Sequence, residues 1–236
     1  MEKVADKAQR VQGIFAAIAP RYDLANDVIS FGRAHAWRRQ AVRLSRAQDG
    51  DRILDVATGT GDLAIAFKKA VGVNGEVIGV DFCAEMLAPA PAKAAKHALA
   101  ITFQQGDAMD LRYPDASFNV VSIAYGLRNV ADTAKAVREM ARVLRPGGRL
   151  VILETGRPAL PVYRELVDLY TAKVMPVFGG LLSGNKDAYR YLDSSSRDFP
   201  YGEKLVELLR REGGFAEVKA HPLMGGVSFI YECLKA

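Results

Sequence analysis

The sequence predicts an α/β fold: a doubly wound, mostly parallel sheet with helices on both faces, ending in an antiparallel hairpin. Three observations carry this. Between Arg52 and Glu154, short β-branched runs alternate with helical periods, as in a parallel sheet. The first of those runs passes through a glycine turn into a helix, the local form of a ligand site at the edge of such a sheet. The last two strand candidates, Phe215–Ala220 and Val227–Leu234, are joined by too few residues for a crossover helix and must pair antiparallel.

Residues 4–19 place Val4, Ala8, Val11, Ile14, Phe15 and Ile18 on one face of a helix, which Pro20 stops. A polar-aromatic segment, Tyr22 to Gly32, follows, broken at Ser30-Phe31-Gly32 before a basic helix, Ala34–Ala47, with Trp37. These first 50 residues are expected over the ligand edge of the sheet. Ile53–Val56 reads as a strand buried on both faces. The other parallel strands are Glu76–Asp81, Ile101–Gln105, Phe118–Ala124 and Arg149–Glu154, the last fed by a sharp turn at Pro146-Gly147-Gly148. Helices are expected at Leu63–Ala70, Ala84–Ala98 (interrupted near Pro89 and Pro91) and Thr133–Leu144. Residues 157–200, rich in aromatics such as Tyr163, Tyr170, Phe178, Tyr189, Tyr191 and Phe199, read as helices broken at Pro176 and Gly179-Gly180, and Glu203–Glu212 as one more helix. There is no repeat or linker. The chain is therefore read as one domain, 1–236: a helical cap over 1–50, a cofactor-binding core over 51–156, a substrate cap over 157–200, and a helix with hairpin over 201–236.

At 236 residues, 50% hydrophobic and 25% charged, the chain has ample material for a core. The charged start, Met1 to Asp6, is unlike a signal peptide, and no apolar run reaches the roughly 20 residues of a membrane span. A cytoplasmic protein is expected. Cys83 and Cys233 are too few for a disulfide framework, and His35, His97 and His221 are scattered, so no metal is expected. The net charge of +5, with arginines gathered at Arg33, Arg38, Arg39, Arg43 and Arg46, suits an anionic membrane surface. No interleaved aromatic platform or finger spacing points to nucleic acid.

Gly59-x-Gly61-x-x-Ala64 fits a dinucleotide fingerprint, with Asp81 at about the expected distance. Two acids argue against a dehydrogenase. Asp55 ends the strand with a carboxylate expected in the site, and Asp62 lies where a pyrophosphate would need free helix N–H groups. A ligand with adenosine at one end and a cationic amino acid at the other fits better. That describes S-adenosylmethionine, and with it a methyltransferase. Asp81 can accept both ribose hydroxyls, though an N-cap for the next helix would also use an acid there. Asp107 can accept from the adenine amino group and Ala108 N–H can serve a ring nitrogen, against the plain reading of Gly106-Asp107 as a turn. Tyr125-Gly126-Leu127-Arg128-Asn129 ends the fourth strand, where a substrate would meet it. Arg128 stays protonated, so it can stabilise an enolate or position water but not act as a base; a surface salt bridge is its ordinary alternative. The aromatics of 157–200 are either core of the cap or the lining of an apolar pocket.

Several stretches carry a further resemblance. They are Ile18-Ala19-Pro20-Arg21-Tyr22-Asp23 with Asn26, Ser30-Phe31-Gly32 with Trp37, and Asp55-Val56-Ala57 with Gly59-Thr60-Gly61-Asp62. Gly126-Leu127-Arg128-Asn129-Val130, the run Arg142 to Leu150, and Asp187-Ala188-Tyr189-Arg190-Tyr191-Leu192 complete the set. From about Phe15 onward the chain resembles the ubiquinone/menaquinone biosynthesis C-methyltransferases, which methylate a polyprenyl quinol ring. The resemblance implies the class I S-adenosylmethionine-dependent methyltransferase fold, with cofactor contacts at Thr60, Asp81, Asp107 and Ala108 beside Asp55, Gly59 and Gly61. It implies substrate contacts at Asn26, Asn129 and Tyr189. Arg128 and Tyr22 are the catalytic candidates, Tyr22 or a water held by Arg128 being the base. The chain departs from the family pattern in four places: Ala34 stands where His is usual (His35 is next to it), Ala124 where Ser is frequent, Tyr125 where Phe is usual, and Thr155-Gly156 follow Glu154 in place of an aromatic.

The expected activity is C-methylation of a polyprenyl quinol, demethylmenaquinol first and the benzoquinol of ubiquinone synthesis second. A tail held in a bilayer implies transient contact with the inner membrane face. An O- or N-methyltransferase on the same fold, or a silent cofactor-binding scaffold, are the alternatives, and self-association of the chain stays open.

Overall fold

The computed structural model describes residues 4–175, 177 and 186–236; for residues 4–6, 186, 187 and 189 it describes the backbone alone. Three helices come first: α1 (Val4–Ile18), α2 (Tyr22–Ile29) and α3 (Arg33–Ser45). The alternating section follows as β1 (Arg52–Val56), α4 (Asp62–Val71), β2 (Glu76–Asp81), α5 (Ala84–Leu87) and α6 (Ala90–Ala95). It continues through β3 (Thr102–Gln105), β4 (Phe118–Ala124), α7 (Thr133–Val143) and β5 (Leu144–Thr155). Then come α8 (Pro161–Leu169), extended by a π-helical turn Tyr170–Val174, and α9 (Lys186–Asp198). The chain ends with α10 (Glu203–Gly213), β6 (Phe215–Leu223) and β7 (Ser228–Lys235). Pro176 and residues 178–185 lie outside the described residues, and with them Phe178 and the breaks expected at Pro176 and Gly179-Gly180.

The strands form one sheet in the order β3-β2-β1-β4-β5-β7-β6. β1 pairs parallel with β2 and β4, and β7 lies antiparallel between β5 and β6, as the short final connection requires. Alternation along the strands sorts side chains between two layers. Ile53, Val77 and Val120 face Leu63, Ala64, Phe67 and Val71 of α4. Leu54, Val56, Ile78, Val80, Val121 and Ile123 face the opposite layer, with Ala136, Val137 and Met140 of α7 and Leu205, Val206 and Leu209 of α10. Phe67 and Phe118 are wholly buried, and each contributes roughly 1.5–3 kcal/mol by leaving water. The switch point between β1 and β4 opens a crevice at the strands' carboxyl ends, where ligands bind in such sheets.

One expectation changes. Pro146-Gly147-Gly148 is no turn before the fifth strand: β5 starts at Leu144, and a register shift opposite Phe118/Val120 absorbs the extra residues as a bulge. Gly147, at φ +74°, supplies the backbone that such a bulge needs. α3 packs Trp37 and Ala41 on Val151, Leu153 and Ile230, a layer helix over β5 and β7 whose first turns also reach the ligand edge. The apolar face of α1 points inward: Phe15 and Ile18 are buried with Cys83, Met86 and Ala188.

Candidate active site

The loop after β1 departs from the strand at once. Ala57 (φ +51°), Gly59 (φ +54°) and Gly61 (φ +85°) all take left-handed backbone, which lets the chain reverse into α4 within five residues. For Ala57 that conformation carries strain, of the kind that gathers at ligand sites. Asp55 anchors the loop from below. Its oxygens accept from Thr58 Oγ1 and Ser122 Oγ, both at 2.6 Å, and it is buried. Burial pushes its carboxyl up to about 6, with the two hydroxyls offsetting only part of that. Asp55 lines neither cavity described below, and its carboxylate holds the loop through Thr58 and Ser122.

The far side of the loop is tied to the N-terminal helices. Thr60 Oγ1 donates to Asp23 Oδ1 of α2 at 2.6 Å. Lys93 of α6 pairs with Asp23 at 2.7 Å and also with Asp62, and Arg38 of α3 pairs with Asp62 at 2.9 Å. Burial would raise Asp62, but Arg38 and Lys93 outweigh it and hold its carboxyl below the usual range. Two expectations are corrected. The Thr60 hydroxyl faces Asp23 and not a ligand cavity. Asp62 is neutralised by two cations, so it does not repel a pyrophosphate, and that argument against a dinucleotide falls. Gly61 packs close to Phe103, where an added Cβ would come within 3.0 Å of the ring.

Above the loop lies a cavity of about 120 Å³ lined by Gly59, Asp81 and Asp107 with Val11, Phe15, Phe82, Met86 and Met109. Asp81 Oδ2 accepts from Gly59 N at 2.7 Å and Oδ1 from Cys83 N at 2.9 Å, so one carboxylate locks the loop to the turn before α5. Each oxygen keeps a second lone pair. Burial raises the Asp81 carboxyl; the backbone N–H groups of Cys83 and Gly59 lower it in part. Asp107 accepts from Met109 N at 2.8 Å, the turn contact that its sequence position also allowed, while lining the cavity. Ala108 is buried in the main core and does not line the cavity. A carboxylate at the end of β2 beside apolar walls suits the ribose and adenine of an adenosine, and on that observation the residues present fit S-adenosylmethionine.

Tyr22 and Tyr125 line this cavity and also a larger one, of about 400 Å³. The larger cavity draws Asn26, Phe31, Trp37, Arg128, Tyr163 and Tyr170 from α2, the turn after it, α3, the turn after β4, and α8 with its π-turn. Arg128 is buried, its side chain 6% exposed, and its Nη1 donates to Glu154 Oε1 at 2.5 Å and to Tyr125 O at 2.8 Å. This is a salt bridge, but an interior one. Glu154, at the end of β5, is wholly enclosed and also accepts from Arg128 N and Thr155 N. The sequence reading missed its role, although an acid ending a buried strand opposite an arginine turn was a usable signal. Tyr125 (φ +54°) shares a hydrogen bond with Ser228 at 3.2 Å, and burial pushes its phenol upward. An added Cβ on Gly126 would lie 2.5 Å from that of Ala57, so the turns after β1 and β4 touch at the switch point.

Asn129 lies in the crevice at the end of β4, as expected. It lines the smaller cavity, its Nδ2 donating to Tyr125 O and its Oδ1 accepting from Tyr191 at 3.2 Å. The side chain of Tyr189 lies outside the described residues. Ala34 lines the larger cavity, and neighbouring His35 turns away to Asp27 at 2.8 Å.

A sequence model of the ubiE/COQ5 methyltransferase family matches residues 3–235. The ubiquinone/menaquinone biosynthesis C-methyltransferase UbiE of Bdellovibrio bacteriovorus is 47% identical over 222 residues, covering 94% of each chain. The demethylmenaquinone methyltransferase of Deinococcus radiodurans is 48% identical over 88% of this chain and 86% of its own. Among solved structures, a SAM-dependent methyltransferase from Thermotoga maritima superposes with a TM-score of 0.68 at 22% identity, over 96% of this chain and 100% of its own. That last likeness speaks to the fold alone.

Proposed function

This chain belongs to the ubiE/COQ5 methyltransferase family and is an S-adenosylmethionine-dependent methyltransferase, and from that premise we propose that it methylates a ring carbon of a polyprenyl quinol, demethylmenaquinol first. The observation that carries the choice of chemistry is Arg128: a guanidinium buried in the wall of an aromatic-lined cavity that meets the smaller, acid-lined one at Tyr22 and Tyr125. When bound, S-adenosylmethionine supplies an electrophilic methyl group. Gly59, Asp81 and Asp107 would hold its adenosine end.

A quinol ring carbon becomes nucleophilic as its neighbouring hydroxyl loses a proton and charge spreads from oxygen into the ring. Arg128, always charged, steadies that oxygen as the charge develops, which favours the transition state over the bound substrate. Tyr22 or a water held at Arg128 takes the proton, since the cavity's carboxylates, Asp168 and Asp193, are paired with Arg157 and Arg197. Trp37, Tyr163 and Val167, partly buried, line the cavity and orient the ring. After transfer, the methylated carbon loses its own hydrogen and the ring is aromatic again.

The prenyl tail stays in the bilayer, and among the described residues no helix is long and apolar enough to cross one. The enzyme therefore visits the membrane surface. The apolar face of α1 is buried, so the contact falls to exposed side chains around the larger cavity: Leu24, Val28 and Phe31 on one side, Leu160, Val162, Leu166 and Leu169 on the other. Phe31 and Tyr170, with ring centroids 5.9 Å apart, join the two sides.

The test uses Arg128→Lys, because removing all charge would leave Glu154 buried and uncompensated and cost about 3–5 kcal/mol of stability. Lysine keeps the charge but loses the fork. Turnover with a short-tailed demethylated quinol should fall at least about 10-fold while S-adenosylhomocysteine affinity stays within about 2-fold. Unchanged turnover would remove Arg128 from the chemistry.

A further inference from the structure

We infer that the Tyr125 hydroxyl binds a quinol oxygen in the larger cavity as a hydrogen-bond donor, with Ser228 setting its direction; this deepens the quinol reading and rests on it. Tyr125, in the turn after β4, lines both cavities. Its chain neighbours, Ala124 and Gly126, line only the smaller one. Val227 and Ser228, with Thr155 and Gly156 at the end of β5, line only the larger. The phenol oxygen lies 3.2 Å from Ser228 Oγ. The backbone end of Tyr125 therefore meets the smaller cavity and its hydroxyl end the larger.

The hydrogens of the pair give the direction. Two hydroxyls carry two hydrogens, and only one of these can lie between them. Ser228 is 2% exposed, and among the described residues its hydroxyl finds one acceptor, Tyr125 Oη. A buried hydroxyl left without an acceptor is costly, so Ser228 donates and Tyr125 accepts. That turns the Tyr125 hydrogen away from Ser228. Tyr125 is only partly buried, and among the described residues nothing accepts from it, so the cavity is where its hydrogen can be used. Burial raises the phenol, which keeps its hydrogen and stays a donor. The guanidinium carbon of Arg128 lies 5.9 Å from the centre of the Tyr125 ring, so the hydroxyl and the cation belong to one stretch of wall. An apolar wall would accept any flat ring. This hydroxyl selects rings that carry oxygen.

The experiment measures anaerobic binding to the full chain by calorimetry, with S-adenosylhomocysteine present. The ligands are a short-tailed 1,4-naphthalenediol and the matching naphthalene, which lacks both oxygens. Tyr125→Phe should bind the diol about 5-fold more weakly, the worth of one neutral hydrogen bond, and bind the naphthalene as the wild type does. Ser228→Ala breaks the same contact between the hydroxyls but leaves the phenol free to donate. Its diol affinity should stay within about 2-fold of the wild type. A contact that only held the fold would make the two variants alike. Equal weakening of diol binding by both variants, weakening of both ligands by Tyr125→Phe, or a wild-type diol affinity in Tyr125→Phe would overturn the assignment. Should the variants differ as expected while the wild type places no methyl group on the diol's ring carbon, the quinol reading would be contradicted and the Tyr125 assignment supported.

Discussion

Asp55 shows how a single carboxylate can serve a site it does not touch. Enclosed beneath the glycine loop, it accepts two hydroxyl hydrogen bonds and titrates near 6. The sign of its effect on stability follows. In the unfolded chain an aspartate loses its proton near pH 4, whereas in the fold it keeps it until about pH 6. Its contribution to stability is therefore fully present below pH 4 and is lost as pH rises to about 6, by on the order of 3 kcal/mol. Asp55→Asn cannot titrate. Its stability relative to the wild type should rise between pH 4 and pH 7, read from urea midpoints at each pH. A constant difference would mean that Asp55 ionises in the fold much as it does in the unfolded chain.

Among the elements, the tether between α2 and the glycine loop has the most direct consequence. Asp23 accepts from Thr60 and pairs with Lys93, yet its side chain is 41% exposed, so it adds little to global stability. Asp23→Ala should leave the melting temperature nearly unchanged but weaken S-adenosylhomocysteine binding by about 3- to 10-fold, because the loop loses one strut. Calorimetry showing wild-type affinity would mean that the loop holds its shape without α2. Much of this architecture is legible in the sequence, since it rests on local signals. The β-branched run at Ile53–Val56, Pro20 after α1, Pro89 between α5 and α6, and the short link before β7 each mark an element by its own chemistry. What was not legible depends on distant partners. Arg38 reads as one of a basic cluster until Asp62, on another helix, draws it inward. Thr60 reads as a ligand contact until Asp23 takes its hydroxyl. Pro146-Gly147-Gly148 suits a turn or a bulge equally, and only pairing with β4 decides between them.

At the scale of the molecule, two cavities share one wall, and the larger is rimmed by apolar side chains in solvent. Val162 and Leu169 are 73% and 57% exposed and lie on one stripe of α8, outside the cavity lining. With the exposed Arg33 on the rim of the same cavity, they make a surface suited to an anionic bilayer. The chain should float with anionic vesicles at low salt and less at high salt. Val162→Ser with Leu169→Ser should lose most of that binding and keep its rate on a short-tailed quinol. Flotation indifferent to these changes would place the membrane contact elsewhere.

The central claim is methylation of a ring carbon of a reduced quinol, and one measurement meets it directly. The purified chain is given methyl-labelled S-adenosylmethionine with demethylated naphthoquinol, anaerobically, and in parallel with the oxidised quinone. Product is analysed by mass and by NMR for the atom that carries the label. Label on the ring carbon, formed from the quinol and not from the quinone, is the predicted result. Label on oxygen, or equal rates from the oxidised quinone, would contradict it.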